Sequence, residues 1–265
     1  MDFNYRPIFE PLHEFQTSIG GEYANKYLTS DDDVPELEDY LFRVFYRKIG
    51  DAWLRWLHFG IGFETSRSRK ILQYIYNSPK FKFWAKNRVV KLIKANLMIE
   101  WILNQFEVQK IIYLIRNPCA VVLSQRKLGW NTNLSRYLSQ SKLMEIYADQ
   151  YELIQSAEEI TEKLTIQWCI ENSLLLNQIE RNKNNILFLK YESLVMNPLE
   201  TLTFIMKESS YQASAIHKIT KKMAGSKLPQ TKSLRKWEQE LEEKEIRYIL
   251  ETSKKFGISL YENDY

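Results

Sequence analysis

The stretch Lys110 to Ser124, KIIYLIRNPCAVVLS, restricts the fold of this chain more than any other. Ile111 to Ile115 form an unbroken apolar run rich in β-branched side chains, and the run stops at Arg116-Asn117-Pro118. A run of that length and type reads as a strand buried on both faces, as in a parallel sheet. Pro118 suits the first position of a helix, where its fixed φ fits and its missing N–H would have had no partner anyway. Cys119 to Lys127 contain no breaker and continue that helix. Strand, sharp turn and helix N-terminus together make a seat for an anion, with amides pointing outward and a fixed guanidinium beside them. A plainer role for Arg116 is pairing with a carboxylate at the strand end, and spacing alone does not separate the two.

At 265 residues and 31.7 kDa, with 45% hydrophobic and 14% aromatic residues, the chain has a globular composition and reads as one domain over residues 1–265. Its 37 basic residues exceed its 33 acidic ones by a net +4, and they are spread along the chain instead of massed in one arm. That balance gives no case for nucleic acid as partner and tolerates a polyanionic small ligand. Cys119 and Cys169 each fall within a predicted helix and read as reduced packing residues, with neither disulfide nor metal-ligand spacing. No apolar run approaches a membrane span and the N-terminus has no signal-peptide core, so the simplest compartment is the cytosol.

Along the chain, Ile8-Phe9 is followed by Glu10-Pro11; proline disfavours helix in the residue before it, so Glu10 is expected extended, at or just past a strand end. Gly20-Gly21 and Asp31 to Asp33 are loop and cap signals. Leu37, Leu41, Val44, Phe45 and Ile49 then recur at helical spacing, with Ser30 or an Asp as N-cap. Trp53, Trp56 and Leu57 continue the apolar character, as core or, in the alternative, as the lining of an acceptor pocket, and a second helix runs from Ser66 to Tyr76. Arg88 to Ile93 is a strand interrupted by Lys91, an ammonium that is costly in a sheet unless it finds a partner. Leu128 to Ser141 reads as a loop, a mobile cover in character. Lys142 to Gln178 is helical throughout, with one apolar face at Leu143, Ile146 and Tyr147 and another at Leu164, Trp168, Leu175 and Ile179. Ile186 to Lys190 is another buried-type strand, and Glu238 to Phe256 a final helix ended by Gly257. The pattern is an α/β domain: a mostly parallel central sheet flanked by helices, with ligands at the strands' C-terminal ends.

Arg116-Asn117-Pro118 directly after an apolar strand, with Ser124 eight positions beyond the Arg, resembles the 3′-phosphate-binding segment of sulfotransferases that use 3′-phosphoadenosine 5′-phosphosulfate (PAPS). The resemblance implies that Arg116 and Ser124 hold the 3′-phosphate of that co-substrate. Phe9-Glu10-Pro11-Leu12 is similar to the segment after the second strand of carbohydrate-type members, which makes Glu10 the candidate general base and His13 a weaker one. Lys91 matches the family's Lys near the end of the strand before the Arg-bearing one, which stabilises charge on the transferring sulfonate. Members acting on phenols and steroids carry a basic His two residues later; Ile93 stands there, which favours Glu10 as base and disfavours those acceptors. Tyr191-Glu192 followed by Asn197-Pro198 resembles the next landmark, placing Tyr191 against the adenine, while Glu192 reads as structural. Near Trp237 the family has a basic pair and a Gly that wrap the 3′-phosphate. The matching Gln230, Thr231 and Lys232 do not keep that pattern, leaving Lys232 and Ser233 as replacement donors, with Arg235 or Lys236 from the other side.

The resemblance implies sulfonate transfer from PAPS to a hydroxyl or amine of a small-molecule or carbohydrate acceptor, without a metal. The family also opens with a Gly/Ser/Thr-rich loop that grips the 5′-phosphosulfate, and no such loop stands in this sequence. On this reading either roughly thirty upstream residues with a central strand are missing from the sequence, or the protein is a shortened one with an incomplete site. The chain is then expected either to fold poorly alone or to be completed by another segment. A non-catalytic nucleotide-binding or scaffolding remnant of the same fold is the alternative. A nucleoside-phosphate kinase would need the phosphate loop and acidic magnesium ligands, and the sequence offers neither.

Overall fold

The computed structural model describes residues 5–13, 18–46, 87–179, 181–209 and 234–262. The chain divides into two compact units, Met1–Phe106 and Glu107–Tyr265, each with its own pair of parallel strands.

In the first unit β1 (Tyr5–Phe9) pairs in parallel with β2 (Asn87–Lys91), Phe9 opposite Lys91. The strand expected at Arg88 to Ile93 therefore ends on the lysine, so the ammonium sits at the strand's mouth and not within it. Among the described residues, α1 (Ser18–Tyr23) and α2 (Pro35–Phe45) lie between the strands in sequence; a 3-10 turn at Asn96–Met98 and α3 (Ile99–Gln105) follow β2. Gly20 and Gly21 lie inside α1 and not in a loop. The helical spacing of Leu37, Leu41 and Val44 puts all three in the core. Neither Ser30 nor an Asp caps α2: its N-cap is Val34, with Pro35 opening the helix. Asp32 instead turns back to accept both the Thr29 N–H and hydroxyl at 2.8 Å, while its carbonyl takes the Trp101 indole N–H at 2.9 Å. Trp101 is fully buried with its one donor satisfied.

The second unit begins with β3 (Ile111–Ile115), then α4 (Pro118–Lys127), α5 (Ser135–Leu138), α6 (Ser141–Ile146), α7 (Tyr151–Gln155) and the long α8 (Ile160–Ile179). It continues with β4 (Ile186–Lys190), α9 (Tyr191–Met196), α10 (Pro198–Glu208), α11 (Trp237–Glu240) and α12 (Glu243–Lys255). β3 and β4 run parallel, Ile115 opposite Lys190. β3 is parallel as expected but buried on one face only. Tyr113 and Ile115 are interior, whereas Ile112 and Leu114 are each 44% exposed, because successive strand residues alternate sides. Tyr113 donates its hydroxyl to Asn172 Oδ1 on α8, and the Asn172 amide nitrogen returns to the Trp168 carbonyl at 2.6 Å.

Between Leu128 and Ser141 the expected loop contains the short α5. The helical stretch from Lys142 is broken into α6, α7 and α8; Leu143 and Tyr147 are buried, while Ile146 is exposed. The last helix likewise splits at Leu241-Glu242, where Glu242 and Glu245 form a reciprocal capping box, and Gly257 ends it at φ 76°. The core of this unit joins α4, α8, α11 and α12 through Cys119, Val122, Leu123, Leu164, Trp237 and Ile249. Among the described residues no helix is long and apolar enough to cross a membrane. Trp53, Trp56, Leu57, the helix expected over 66–76, and the loop carrying Lys232 and Ser233 lie outside the described residues.

Candidate functional site

Glu10 stands one residue beyond β1, and three bonds fix its turn. Its N–H donates to the Lys91 carbonyl at 2.9 Å, its carbonyl accepts from the His13 N–H at 3.1 Å, and the next carbonyl, Pro11, accepts from the Tyr40 hydroxyl at 2.6 Å. The backbone is not extended as Pro11 suggested: Glu10 has φ 52°, the left-handed region that a side chain rarely adopts. That turn tucks the carboxylate inward, where it is buried beside the strand end it has just left. Lys91 Nζ lies 3.0 Å from Oε1, and the Ile93 N–H donates to Oε2 at 3.2 Å. The partner that Lys91 needed is thus Glu10, supplied by the neighbouring strand. Ile93 contributes through its backbone, at the position where its side chain offers no base.

Arg116 and Tyr191 meet in the second unit because β3 and β4 are in register. The residues that follow Ile115 and Lys190 emerge side by side, and the Arg116 guanidinium lies over the Tyr191 ring, 4.8 Å from its centroid. The Arg116 Nε is buried without a hydrogen-bond partner, and no described carboxylate pairs with the guanidinium. A buried donor left unmade costs about 1–3 kcal/mol, so the geometry suits a ligand oxygen at that edge. The plainer role for Arg116, pairing with a carboxylate at the strand end, is not what the described residues show.

The amides at the start of α4 do not point outward to a ligand. Asn117 Oδ1 accepts from the N–H groups of Cys119 at 2.9 Å and Ala120 at 3.4 Å, the Asn117 carbonyl takes Val121 N–H, and Pro118 has none. The Asn117 N–H itself is held by Glu192 Oε1 at 2.9 Å. Any anion here is therefore met by side chains and by the helix dipole, not by backbone donors. Ser124 lies two turns along α4 from Asn117 and so on its face of the helix. It is half-buried, with its hydroxyl unbonded among the described residues, and the neighbouring Gln125 Oε1 is a second buried atom with no partner there. Of the lesser candidates near Trp237, Arg235 is engaged by Glu238.

Sequence reasoning missed two contributors. Glu192 was legible only as structural, and its task is now specific: it holds the turn that carries Arg116. Tyr261 left no signal at all, since its contact to Glu192 Oε2, a hydroxyl donated at 3.3 Å, joins positions far apart in the chain.

No curated protein and no solved structure matches the chain. The model of the sulfotransferase domain, by contrast, matches residues 26–256, most of its length and all of the second unit's strand–turn–helix core. The chain belongs to the sulfotransferase family.

Proposed function

We propose that this sulfotransferase takes its sulfonate from PAPS and delivers it to a hydroxyl or amine of a small-molecule or carbohydrate acceptor. The observation that carries the reading is the Arg116 guanidinium, stacked on Tyr191, with a buried Nε and no carboxylate paired with it among the described residues. A dianionic 3′-phosphate supplies what that group lacks, with the Ser124 hydroxyl as second donor and Tyr191 beside the adenine. Lys232 and Ser233 are assigned to the same phosphate on the family resemblance. In the reaction the acceptor oxygen or nitrogen bonds to sulfur as the bond from sulfur to the bridging phosphate oxygen breaks. The acceptor proton passes to the Glu10 carboxylate, and 3′-phosphoadenosine 5′-phosphate leaves. Lys91 offsets the charge that gathers on the sulfonate and bridging oxygen. Both cysteines are buried free thiols, and we set the reaction in a reducing compartment, the cytosol.

A second reading, nucleotide binding without catalysis, is favoured by one observation: both oxygens of Glu10 are already engaged, by Lys91 and by Ile93 N–H. In that case the pair simply pins two strand ends. Calorimetric titration with 3′-phosphoadenosine 5′-phosphate tests the nucleotide site. Arg116→Ala is expected to weaken binding about tenfold to a hundredfold, the loss of a charge-assisted bidentate contact, and unchanged affinity overturns the assignment. Transfer of labelled sulfonate by the native chain, abolished in Glu10→Gln while nucleotide affinity holds, separates catalysis from binding alone.

A further inference from the structure

We propose that Glu192, backed by Tyr261, is the positioning residue that keeps Arg116 free for a ligand and thereby sets a preference for nucleotides bearing a 3′-phosphate. The inference rests on the assignment of Arg116 to that phosphate. Because Ile115 and Lys190 are opposite each other, the dipeptides Arg116-Asn117 and Tyr191-Glu192 leave the ladder as neighbours. The second grips the first at two points: the Tyr191 ring under the guanidinium, and Glu192 Oε1 on the Asn117 N–H at 2.9 Å.

A carboxylate with no other partner, on the residue next to the ring an arginine covers, would be drawn to that arginine as an ion pair and neutralise the cation before any ligand arrived. Here the second oxygen is turned to Tyr261, whose hydroxyl it accepts at 3.3 Å. Tyr261 is itself held. Lys190 Nζ lies over its ring, 4.9 Å from the centroid, and donates to the Leu260 carbonyl at 3.1 Å. The buttress also stands outside the family-matched residues, which end at 256. Tyr261 thus acts through Glu192, and Glu192 through the turn, on the direction and availability of Arg116.

The test compares affinities for 3′-phosphoadenosine 5′-phosphate and adenosine 5′-phosphate, which differ only in the group Arg116 is assigned to hold. The wild-type chain is expected to prefer the former. Glu192→Ala should cut that preference about tenfold and Tyr261→Phe about threefold, each with adenosine 5′-phosphate affinity unchanged, while Glu192→Gln, which keeps an acceptor oxygen for Asn117, restores most of it. In an Arg116→Ala background neither substitution should move the ratio. Tyr261→Phe retains the ring and its packing, so it decides the matter if Glu192→Ala does not fold. Equal losses for both nucleotides, or an unmoved ratio with Arg116 present, overturn the positioning role. A wild-type chain with no preference between them instead overturns the assignment of Arg116, and this proposal with it.

Discussion

Glu10 adopts a backbone conformation that its side chain disfavours, at a φ of 52°, and it does so beside a strand end where its carboxylate is ion-paired with Lys91 and accepts the Ile93 N–H. Proline disfavours the right-handed helical region for the preceding residue, and local sequence then favours an extended chain. The bond to the Lys91 carbonyl and the pull of Lys91 and Ile93 on the carboxylate select the left-handed region instead, a tertiary demand that no local rule contains. At this φ, glycine suits the position better than alanine once the carboxylate is gone. Urea unfolding is expected to rank Glu10→Gly above Glu10→Ala by about 1 kcal/mol, although glycine is ordinarily the less stable choice. The reverse ranking would mean that the turn carries no strain. Sequence found Glu10 and Lys91 separately; that they bond to each other was hidden because the strands that carry them pair across the whole length of the first unit.

At the scale of elements, the two ends of α4 are tied down differently. Its start was readable from Pro118, since proline suits the first position of a helix; its donors being consumed by Asn117 was not, because a cap and an anion site draw on the same amides. Its end is held by side chains from elsewhere. Arg126 reaches Thr161 on α8 and Glu245 on α12, and Lys127 pairs with Glu240 on α11. Burial works against ionisation of Glu245, but the Glu242 N–H, Arg126 and Thr161 together outweigh it and hold the carboxyl below its ordinary value of 4.5. A carboxyl lowered on folding stabilises the native state above its unfolded pKa, and that stabilisation is lost as the pH falls through the lower folded value. The melting temperature should therefore drop on acidification below 4.5, and drop less in Glu245→Gln, which has no proton to take up there. Parallel profiles for the two proteins would remove Glu245 from the acid response. The breaks that divide α6, α7, α8, α11 and α12 escaped the sequence reading for a related reason. Apolar spacing continues across them, and caps such as Glu242 with Glu245 resemble ordinary surface charge until the turn is seen.

Taken whole, the chain keeps its thiol chemistry out of reach. Cys119 and Cys169 are both fully buried, and burial pushes the Cys169 thiol up to about 12 against the opposing bond from Ser253. Both sulfurs are enclosed by the packing of the second unit, so an aromatic disulfide reagent is expected to label both at one rate, the rate at which that unit opens. Rapid labelling of either without denaturant contradicts that packing. The parallel pairing of β3 with β4 carries a consequence for biosynthesis. Asn117 and Glu192 are 75 positions apart, so during translation the arginine emerges and waits roughly 4–15 s before the segment that supports it has been made. Until then β3 lacks the only partner strand it has among the described residues, and a ribosome that stalls in the interval presents chaperones with helices already made and an unfinished sheet.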